Sequence, residues 1–254
     1  MPTVLRSRRL AGLLIAGLLL AGLLLAALGP GVVAASGAAP TLRPDRSDGR
    51  VDPSQFTTRI DNPWFPLVPG TTRVYEGTSE GKPARNVVTV TARTRRLAGV
   101  DTVVVRDDGY VDGRLDEHTF DYFAQDARGT VWYFGEDTAV LDAHGRVVSR
   151  EGTWHAGRHG ARPGVAMEAA PVVGKRIRQE YLKGHAEDWY RVVATSTPVQ
   201  VPYGAFDALE TREWTPLEPK VLDRKTYARG VGELSESTVR GPREELSLVE
   251  VHNP

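Results

Sequence analysis

The chain of 254 residues contains no cysteine, so it can form neither a disulfide nor a thiolate metal site. A lipid attached through a cysteine thioether is excluded for the same reason. Disulfide frameworks are needed chiefly by small exported domains, whereas a chain of about 200 residues buries about 70% of its unfolded surface without them. The missing cysteines therefore do not exclude an exported protein.

The chain also lacks an excess of charge of either sign, since 32 basic side chains balance 32 acidic ones. Loss of residues 1–38 would remove Arg6, Arg8 and Arg9 without removing an acid, and would leave a formal charge of −3. Nucleic acids and anionic lipid surfaces attract basic proteins. We therefore predict that neither is the main partner.

The motifs of common nucleotide-binding and hydrolytic folds are missing too. Ser149, Ser196 and Ser235 lie outside any G-x-S-x-G pattern, and neither a G-x-G-x-x-G before a helix nor a Walker motif occurs. No apolar stripe with a period of 3.6 residues follows residue 38, so helix is predicted to be scarce. These gaps predict no cofactor, and they favour a non-catalytic protein while leaving an enzyme open.

What is present begins with an export signal. Arg6, Arg8 and Arg9 precede an apolar run at 11–29, Pro30 ends that run, and small residues at 33–38 offer cleavage sites. This order is typical of a secretory signal peptide. An uncleaved membrane anchor is the alternative, because the run is long for a signal and short for a full span. We predict a secreted or cell-envelope protein that meets a membrane only through an uncleaved N-terminal segment.

The remainder of the chain divides into a leader and a β domain. Residues 39–53 are polar and rich in proline, glycine and aspartate, which is typical of a flexible leader. Beyond them, alternating runs recur about every 8–14 residues with Gly or Asp turns between, which indicates an all-β fold. We predict a single, mainly antiparallel domain over 54–254, with roughly 10–12 strands in one strongly curved sheet or half-barrel. A closed barrel or a sandwich is the alternative.

The densest aromatic stretch, 121–154, is predicted to organise that sheet. Residues 119–125 and 129–135 form a hairpin across a turn at 126–129, and 146–153 returns as a third strand. Alternation puts Val131 and Tyr133 on one face and Trp132 and Phe134 on the other, so both faces of this strand are apolar. We therefore predict that rings from this stretch meet in the core or on the concave face.

Two irregular segments accompany the predicted strands. Prolines exclude a helix at 61–70, yet Trp64 and Phe65 require burial, so this segment is predicted to lie across an end or edge of the sheet. The segment 156–174 has four glycines and two prolines and is predicted to be a crossing loop with one helical turn at 165–169. Long loops in compact domains are often functional, so this loop is the predicted site region.

Two groups of residues resemble metal ligands, although no metal site is predicted. Asp107, Asp108 and Asp112 lie in a stretch rich in acids and glycines, but their spacing matches no EF-hand loop and favours a turn. His155 and His159 are four residues apart, but glycines between and beside them argue against the helix that would place both on one face.

Further sequence patterns carry a resemblance. VPYGAFDALET followed by YARGVGEL resembles a P-x-G-x-F … Y-A-x-G-V-G pattern of exported bacterial proteins of unknown function. That resemblance implies a curved antiparallel sheet similar to the half-barrel of LolA/LppX-type carriers, without their cysteine-linked lipid. FTTRIDNPWFPLVPG, VWYFGED, EGTWHAGRHGARPG and EWTPLEP resemble a family of secreted, chiefly actinobacterial proteins to which no chemistry is assigned.

A curved sheet leaves a concave face on which an apolar small molecule or lipid can bind. We predict an exported, non-catalytic binding module of this kind. The candidate ligand-binding residues are Trp132, Phe134, Trp154, Met167 and Trp64. One alternative is a carbohydrate-active hydrolase that uses a Glu/Asp pair. The other is a structural or interaction protein of the cell envelope.

Overall fold

The structure, a computed structural model, describes residues 51–254. The predicted signal peptide and nearly all of the predicted leader lie outside these residues. Within them, no helix is both long and apolar enough to cross a membrane. A single 3₁₀ turn, Pro53–Gln55, precedes the first strand, and all other regular structure in this part of the chain is β. The prediction of an all-β fold with little helix is therefore confirmed.

The described residues form 16 strands. They are β1 (Phe56–Thr57), β2 (Thr72–Ser79), β3 (Lys82–Leu97), β4 (Val100–Val111), β5 (Arg114–Asp126), β6 (Val131–Leu141), β7 (Val147–Ser149), β8 (Trp154–His155), β9 (Arg162–Met167), β10 (Arg176–Arg178), β11 (Glu180–Tyr181), β12 (Trp189–Val201), β13 (Gly204–Trp214), β14 (Leu222–Ala228), β15 (Gly232–Arg240) and β16 (Glu244–His252).

Hydrogen bonds join these strands into one antiparallel sheet with the order β10-β12-β13-β14-β15-β16-β2-β3-β4-β5-β6-β9-β11. Outside this order, β1 pairs with β5, and β7 and β8 pair with β6. Two meanders, β2–β6 and β12–β16, meet where the last strand pairs with β2. Alternation explains the strands locally, since Ala84, Val88 and Val90 of β3 are buried while their odd-numbered neighbours are not. Five of the 16 strands have only two or three residues, so the longer ones match the predicted number.

The two ends of the sheet almost meet. β10 pairs with β12 and β11 pairs with β9, and only Gln179 separates these two short strands in the chain. Gly164 of β9 lies against this point so closely that a Cβ atom there would be 2.3 Å from the Gln179 carbonyl carbon. We call the β10–β11 stretch the seam. The sheet is thus a nearly closed, barrel-like version of the predicted curved sheet.

The aromatic stretch forms the hairpin that the sequence predicts. Asp126 accepts hydrogen bonds from the backbone N–H groups of Arg128 and Thr130, and Gly129 takes a φ of 86° in the turn. The Phe123 and Tyr133 rings stack with centroids 4.8 Å apart, and the Trp154 ring meets Tyr133 edge-on at 5.3 Å. The prediction that these rings come together is confirmed.

The proline-containing segment 61–70 packs against this core. Phe65 contacts Phe123 at 5.4 Å, and Trp64 is buried under the guanidinium of Arg229 at 4.2 Å. The backbone N–H of Gly230 donates to the Pro63 carbonyl, which joins the segment to the β14–β15 turn. The segment thus connects distant strands of the sheet.

Two local predictions are wrong. The helical turn at 165–169 is replaced by β9, whose Val165 and Met167 pair with β6 and so gain sheet hydrogen bonds. The turn expected at Asp107 and Asp108 is replaced by the continuation of β4, because each side chain finds a partner on its own face of the sheet. Asn86 faces Asp107, and Arg106 and His118 contact Asp108.

Candidate functional site

The inner face of the sheet is unexpectedly polar. Residues directly opposite each other on paired strands point to the same face. On the β2–β6 side the cross-strand rows are Tyr75, Asn86, Gly109 and Glu117; Val88, Asp107, Thr119 and Thr138; and Val90, Val105, Asp121 and Glu136. On the β12–β16 side they are Tyr190, Glu213, Asp223 and Thr238; Thr211, Lys225, Glu236 and Leu246; and Leu209, Tyr227 and Glu233.

The two sides face one another across the interior. The phenol of Tyr75 on β2 donates to the Glu233 carbonyl oxygen on β15 at 3.1 Å. Burial raises the pKa of Asp121 on β5 well above its usual value. The positive charge of Lys225, on β14, acts on Asp121 in the opposite direction. These rows therefore form one interior.

Carboxylates greatly outnumber bases among the buried side chains of residues 51–254. Ten acidic side chains and two basic ones, Arg73 and Lys225, are buried. Two of the acids, Asp108 and Asp126, bind groups near the outer surface. The other eight form what we call the inner acid cluster: Asp107, Glu117, Asp121, Glu136, Glu180, Glu213, Glu233 and Glu236.

Lys225 is the charged centre of this cluster. Its ammonium lies 3.5 Å from Glu236 and 3.7 Å from Glu213, and its side chain is 4% exposed. Burial works against its charge, but the surrounding carboxylates, Glu236 first, raise the pKa of Lys225 well above its usual value. The contacts with Glu236 and Glu213 therefore favour the charged form of Lys225. Burial raises the pKa of Glu236 to about 8 even though Lys225 opposes that change.

Glu233 differs from these two acids because neither of its carboxylate oxygens accepts a hydrogen bond from the described residues. The residue is 5% exposed. Burial raises the pKa of Glu233 well above its usual value, and the negative charge of Glu236 adds to this while Lys225 opposes it. A buried acid without a donor costs several kcal/mol when ionised, so Glu233 is the least satisfied member of the cluster.

The acids on β5, β6 and the seam form the other side of the cluster. Tyr133 donates to Asp121 at 2.7 Å, and Thr138 donates to Glu136 at 2.9 Å. The indole N–H of Trp154 and the backbone N–H of Asp188 are both directed at the Glu180 carboxylate and oppose the rise in its pKa, although neither closes a hydrogen bond of normal geometry. Burial, followed by the negative charge of Asp188, raises the pKa of Glu180 well above its usual value.

Two partly buried acids extend this electrostatic network. Burial raises the pKa of Asp188 to about 7, although a hydrogen bond from Thr215 opposes the change. Burial also raises the pKa of Asp223 to about 6 against the opposing charge of Lys225. Burial thus moves the pKa of both side chains toward neutral pH.

The five ligand-binding residues predicted from the sequence do not lie together. Trp132 and Phe134 are on the opposite face from Tyr133, where both contact the Phe56 ring at 5.9 and 5.4 Å. Trp154 lies on the inner face against Tyr133, and Met167 is buried where β9 pairs with β6. Trp64 is in the separate 61–70 segment. Their predicted role in ligand binding stays a prediction.

The metal candidates are also dispersed, and no three acid or histidine side chains in residues 51–254 are arranged to hold a metal ion. Asp107 faces inward, whereas Asp108 faces outward. Asp112 lies in the β4–β5 turn beside Lys82. His155 binds Asp137, and His159 occupies an exposed turn with a φ of 52°.

A second polar group lies on the outer face, centred on Asp137. Asp137 accepts a hydrogen bond from the Tyr122 phenol at 2.6 Å, contacts Arg95, and lies 2.9 Å from Nε2 of His155. Burial disfavours its charge, but the Tyr122 and Arg95 hydrogen bonds prevail and lower the pKa of Asp137. Arg95, Tyr122 and Asp137 of this group line a surface groove of about 380 Å³. Its charges are mutually satisfied, unlike those of the inner acid cluster.

The sequence analysis missed the residues that matter most inside the sheet, namely Lys225, Glu233 and Glu236. A signal for Lys225 was present, because Asp223 and Lys225 alternate in phase with the aromatic Tyr227 along β14. A charged residue in phase with a buried ring indicates an inward-facing charge. No comparable signal identified Glu233, since a register shift beside it breaks the alternation of β15.

The fold and the inner face define an all-β protein with an acid-rich, barrel-like interior. No protein-family model and no curated protein matches the chain. Among solved structures, it is similar to a predicted exported protein with a YmcC-like fold from Bacteroides fragilis, with 15% identity, a TM-score of 0.43, and coverage of 75% of this chain and 99% of that one. It is also similar to a predicted lipoprotein from Parabacteroides distasonis, with 11% identity, a TM-score of 0.40, and coverage of 74% and 97%. Neither likeness assigns a function.

Proposed function

We propose that the chain is an exported, non-catalytic binding protein whose ligand contacts the inner acid cluster. The observation that carries this proposal is the carboxylate of Glu233, which is buried and receives no hydrogen bond from residues 51–254. Buried polar groups in folded proteins are almost always paired, so an unpaired one points to a ligand or a functional role. Export is proposed from the arginines and apolar run of residues 1–38.

A polar ligand is better supported than the apolar one expected from the sequence. Trp132 and Phe134 pack on Phe56, and Trp154 packs on Tyr133, so these rings are already covered by protein. The hollow between Phe65 and Glu233, which Arg73 and Tyr75 also line, has a volume of about 30 Å³. That volume corresponds to about one water molecule, which is far too small for a lipid chain.

Binding is also better supported than glycoside hydrolysis. Glu136 and Glu180, two of the acids that could form a catalytic pair, are 1% and 0% exposed. A polysaccharide would have to reach both acids at once, because hydrolysis places one on each side of the bond that is cut. Their burial leaves neither acid open to a polysaccharide.

The test is native mass spectrometry of the protein purified from its own host, followed by thermal unfolding with candidate ligands. We expect a small molecule to co-purify and to raise the melting temperature, by an amount that grows with concentration. The variant E233Q is expected to lose the co-purified mass, whereas E245Q retains it because Glu245 is exposed on β16.

A protein that carries no small molecule, and whose melting temperature no ligand class changes, would contradict the proposal. Release of sugars from envelope polysaccharides by the wild-type protein, abolished in E136Q, would instead establish the hydrolase alternative.

A further inference from the structure

Four arginines form a cross-strand row on the outer face of the sheet. The residues that lie directly opposite one another across β10, β12, β13 and β14 are Arg176, Arg191, Arg212 and Arg224. Opposite residues on paired strands point to the same face. That face is the outer one, because Lys225, the chain neighbour of Arg224, belongs to an inner row. We call these four residues the arginine row.

A single acid of residues 51–254 contacts the arginine row. Glu210 accepts hydrogen bonds from Arg212 and, at 2.8 Å, from Arg224. Burial raises the pKa of Glu210, but the Arg224 hydrogen bond and the charges of both arginines outweigh burial and lower it. Arg176 and Arg191 are exposed and form no ion pair within the described chain. Four positive charges and one negative charge therefore leave a local charge of +3.

The fold by itself gives no reason for this row. Like charges directly opposite each other on paired strands destabilise a sheet. Charge on an edge strand protects against pairing with another chain, but β13 and β14 have a neighbouring strand on both sides. Edge protection therefore does not explain Arg212 and Arg224. A ligand that brings negative charge to the outer face would relieve the repulsion within the row.

We infer that the arginine row binds an acidic polysaccharide, whose carboxylates pair with the guanidinium groups. A guanidinium and a carboxylate match in a planar pair of parallel hydrogen bonds, which is a strong and specific contact. Neighbouring strands lie about 4.8 Å apart, a distance close to the length of one sugar unit. A polymer with a carboxylate on each sugar therefore repeats in register with the row. This inference concerns a different surface from the inner acid cluster and goes beyond the proposed function.

The shape of the surface favours a flexible polymer. A cross-strand row runs around the circumference of the nearly closed sheet, so the arginine row is convex. A flat membrane contacts a convex row at only part of its length. The same is true of a DNA duplex, which is stiff over about 50 nm. A chain of sugars can turn at each glycosidic bond and so follow the row.

Two tryptophans lie beside the arginine row on the same face. Trp189 and Trp214 are directly opposite each other, two residues from Arg191 and Arg212 along their strands, and both are partly exposed. Bases of single-stranded nucleic acid stack on open ring faces, but the guanidinium of Arg178 already covers one face of Trp189 at 4.5 Å. The apolar C–H groups of a sugar can pack on the ring surface that remains, next to the guanidinium groups.

Calorimetry of the full chain with four polymers tests the inference. Polygalacturonate carries a carboxylate on each sugar, dextran carries no charge, and polyphosphate and single-stranded DNA carry phosphates. We expect polygalacturonate to bind most tightly and dextran not to bind. The affinity for polygalacturonate should fall at least about tenfold between 50 and 200 mM salt, because binding releases counterions. Failure of polygalacturonate to bind, equal binding of dextran, or tighter binding of either phosphate polymer would overturn the inference.

A charge reversal separates binding from folding. R191E places a carboxylate between Arg176 and Arg212, so we expect the affinity for polygalacturonate to fall at least about tenfold. The melting temperature should stay equal or rise, because opposite charges across paired strands stabilise a sheet. R114E, at an exposed arginine of β5, is the matched control and should keep the affinity of the wild type.

Two results with R191E would contradict the inference. Wild-type affinity in this variant would place the polymer on another surface. A lower melting temperature would show that the folded chain already uses the charge of Arg191, so that the row has no need of a ligand.

Discussion

At the scale of single residues, Lys225 is the side chain that most stabilises charged carboxylates inside the sheet. The variant K225M removes the cation that Glu213 and Glu236 share. Removing one partner of a buried ion pair costs about 3–5 kcal/mol, so we expect a loss of that size at pH 8. At pH 5 the loss should be smaller, because the remaining acids can take up protons.

Urea unfolding of K225M at the two pH values measures this difference, and K220M, at an exposed lysine, is the matched control. An equal loss of stability at pH 5 and pH 8 would show that Lys225 acts through packing and not through charge.

The pH dependence of ligand-free folding follows from the same acids. The pKa of Glu236 rises from 4.5 to about 8 on folding. The folded state therefore binds more protons than the unfolded state over this range, and stability falls as pH rises from about 4.5 to 8. E236Q should flatten this decline by up to about 1.4 kcal/mol per pH unit.

Denaturant titrations between pH 5 and pH 8 test that expectation against E245Q, whose slope should equal that of the wild type. A wild-type stability that increases over this interval contradicts the assignment of Glu236 as a buried, proton-binding acid.

Residue types and alternation predicted the faces of β6 but not which face is inside. The sequence places Trp132 and Phe134 opposite Val131 and Tyr133, and the structure agrees. Both faces are apolar at this point, so hydrophobicity alone could not show that Trp132 lies outside under Phe56. The acids of the inner face were missed because a charged residue in a strand is ordinarily expected on the solvent side.

At the scale of elements, the seam depends on a glycine. A Cβ at position 164 would approach the Gln179 carbonyl carbon to 2.3 Å. G164A should therefore destabilise the protein by about 1–3 kcal/mol through overpacking, and it should speed hydrogen exchange of the Gln179 amide, which donates to Asp188.

The control variant is G174A. Gly174 has a φ of 86° and no atom within 4 Å of an added Cβ, so G174A introduces backbone strain without a steric clash. If G164A lowers the free energy of unfolding no more than G174A does, and leaves hydrogen exchange of the Gln179 amide unchanged, the seam contributes less to stability than we infer.

Long strands were easier to predict than short ones. Runs such as β3 and β5 carry enough alternating residues to show their period, whereas β8 and β11 have only two residues each. Their pairing depends on neighbours distant in sequence. Irregularities such as the register shift between Val90 and Thr94 likewise depend on the partner strand, β4, and leave no local pattern.

At the scale of the whole molecule, turn spacing predicted an all-β, strongly curved sheet, and the structure confirms that class. The near-closure through the seam could not be predicted, because β9 lies in the segment 156–174 that the sequence presented as an irregular loop, and the seam strands that join it to β12 have only three and two residues. Closure brings the two polar sides together, so the interior site was beyond prediction for the same reason.

Export of the protein is predicted from residues 1–38 and concerns the chain as a whole. Replacement of Arg6, Arg8 and Arg9 by glutamate should retain the protein inside the cell, because signal recognition requires a positive n-region. Fractionation of the host with an antibody to the β domain measures the outcome. Equal amounts of wild-type and variant protein outside the cytoplasm would refute a signal in this segment.

The paired ends of the sheet also bear on self-association. An exposed strand edge presents free backbone donors and acceptors, on which identical chains can stack into fibrils. Here the terminal strands have three and two residues, and the β12 edge beyond residue 191 is interrupted by two register shifts and by Pro198, so little regular edge is left for another copy to extend. We therefore expect concentrated samples to remain clear and thioflavin-negative on prolonged incubation below the melting temperature, without any covalent cross-link to protect them.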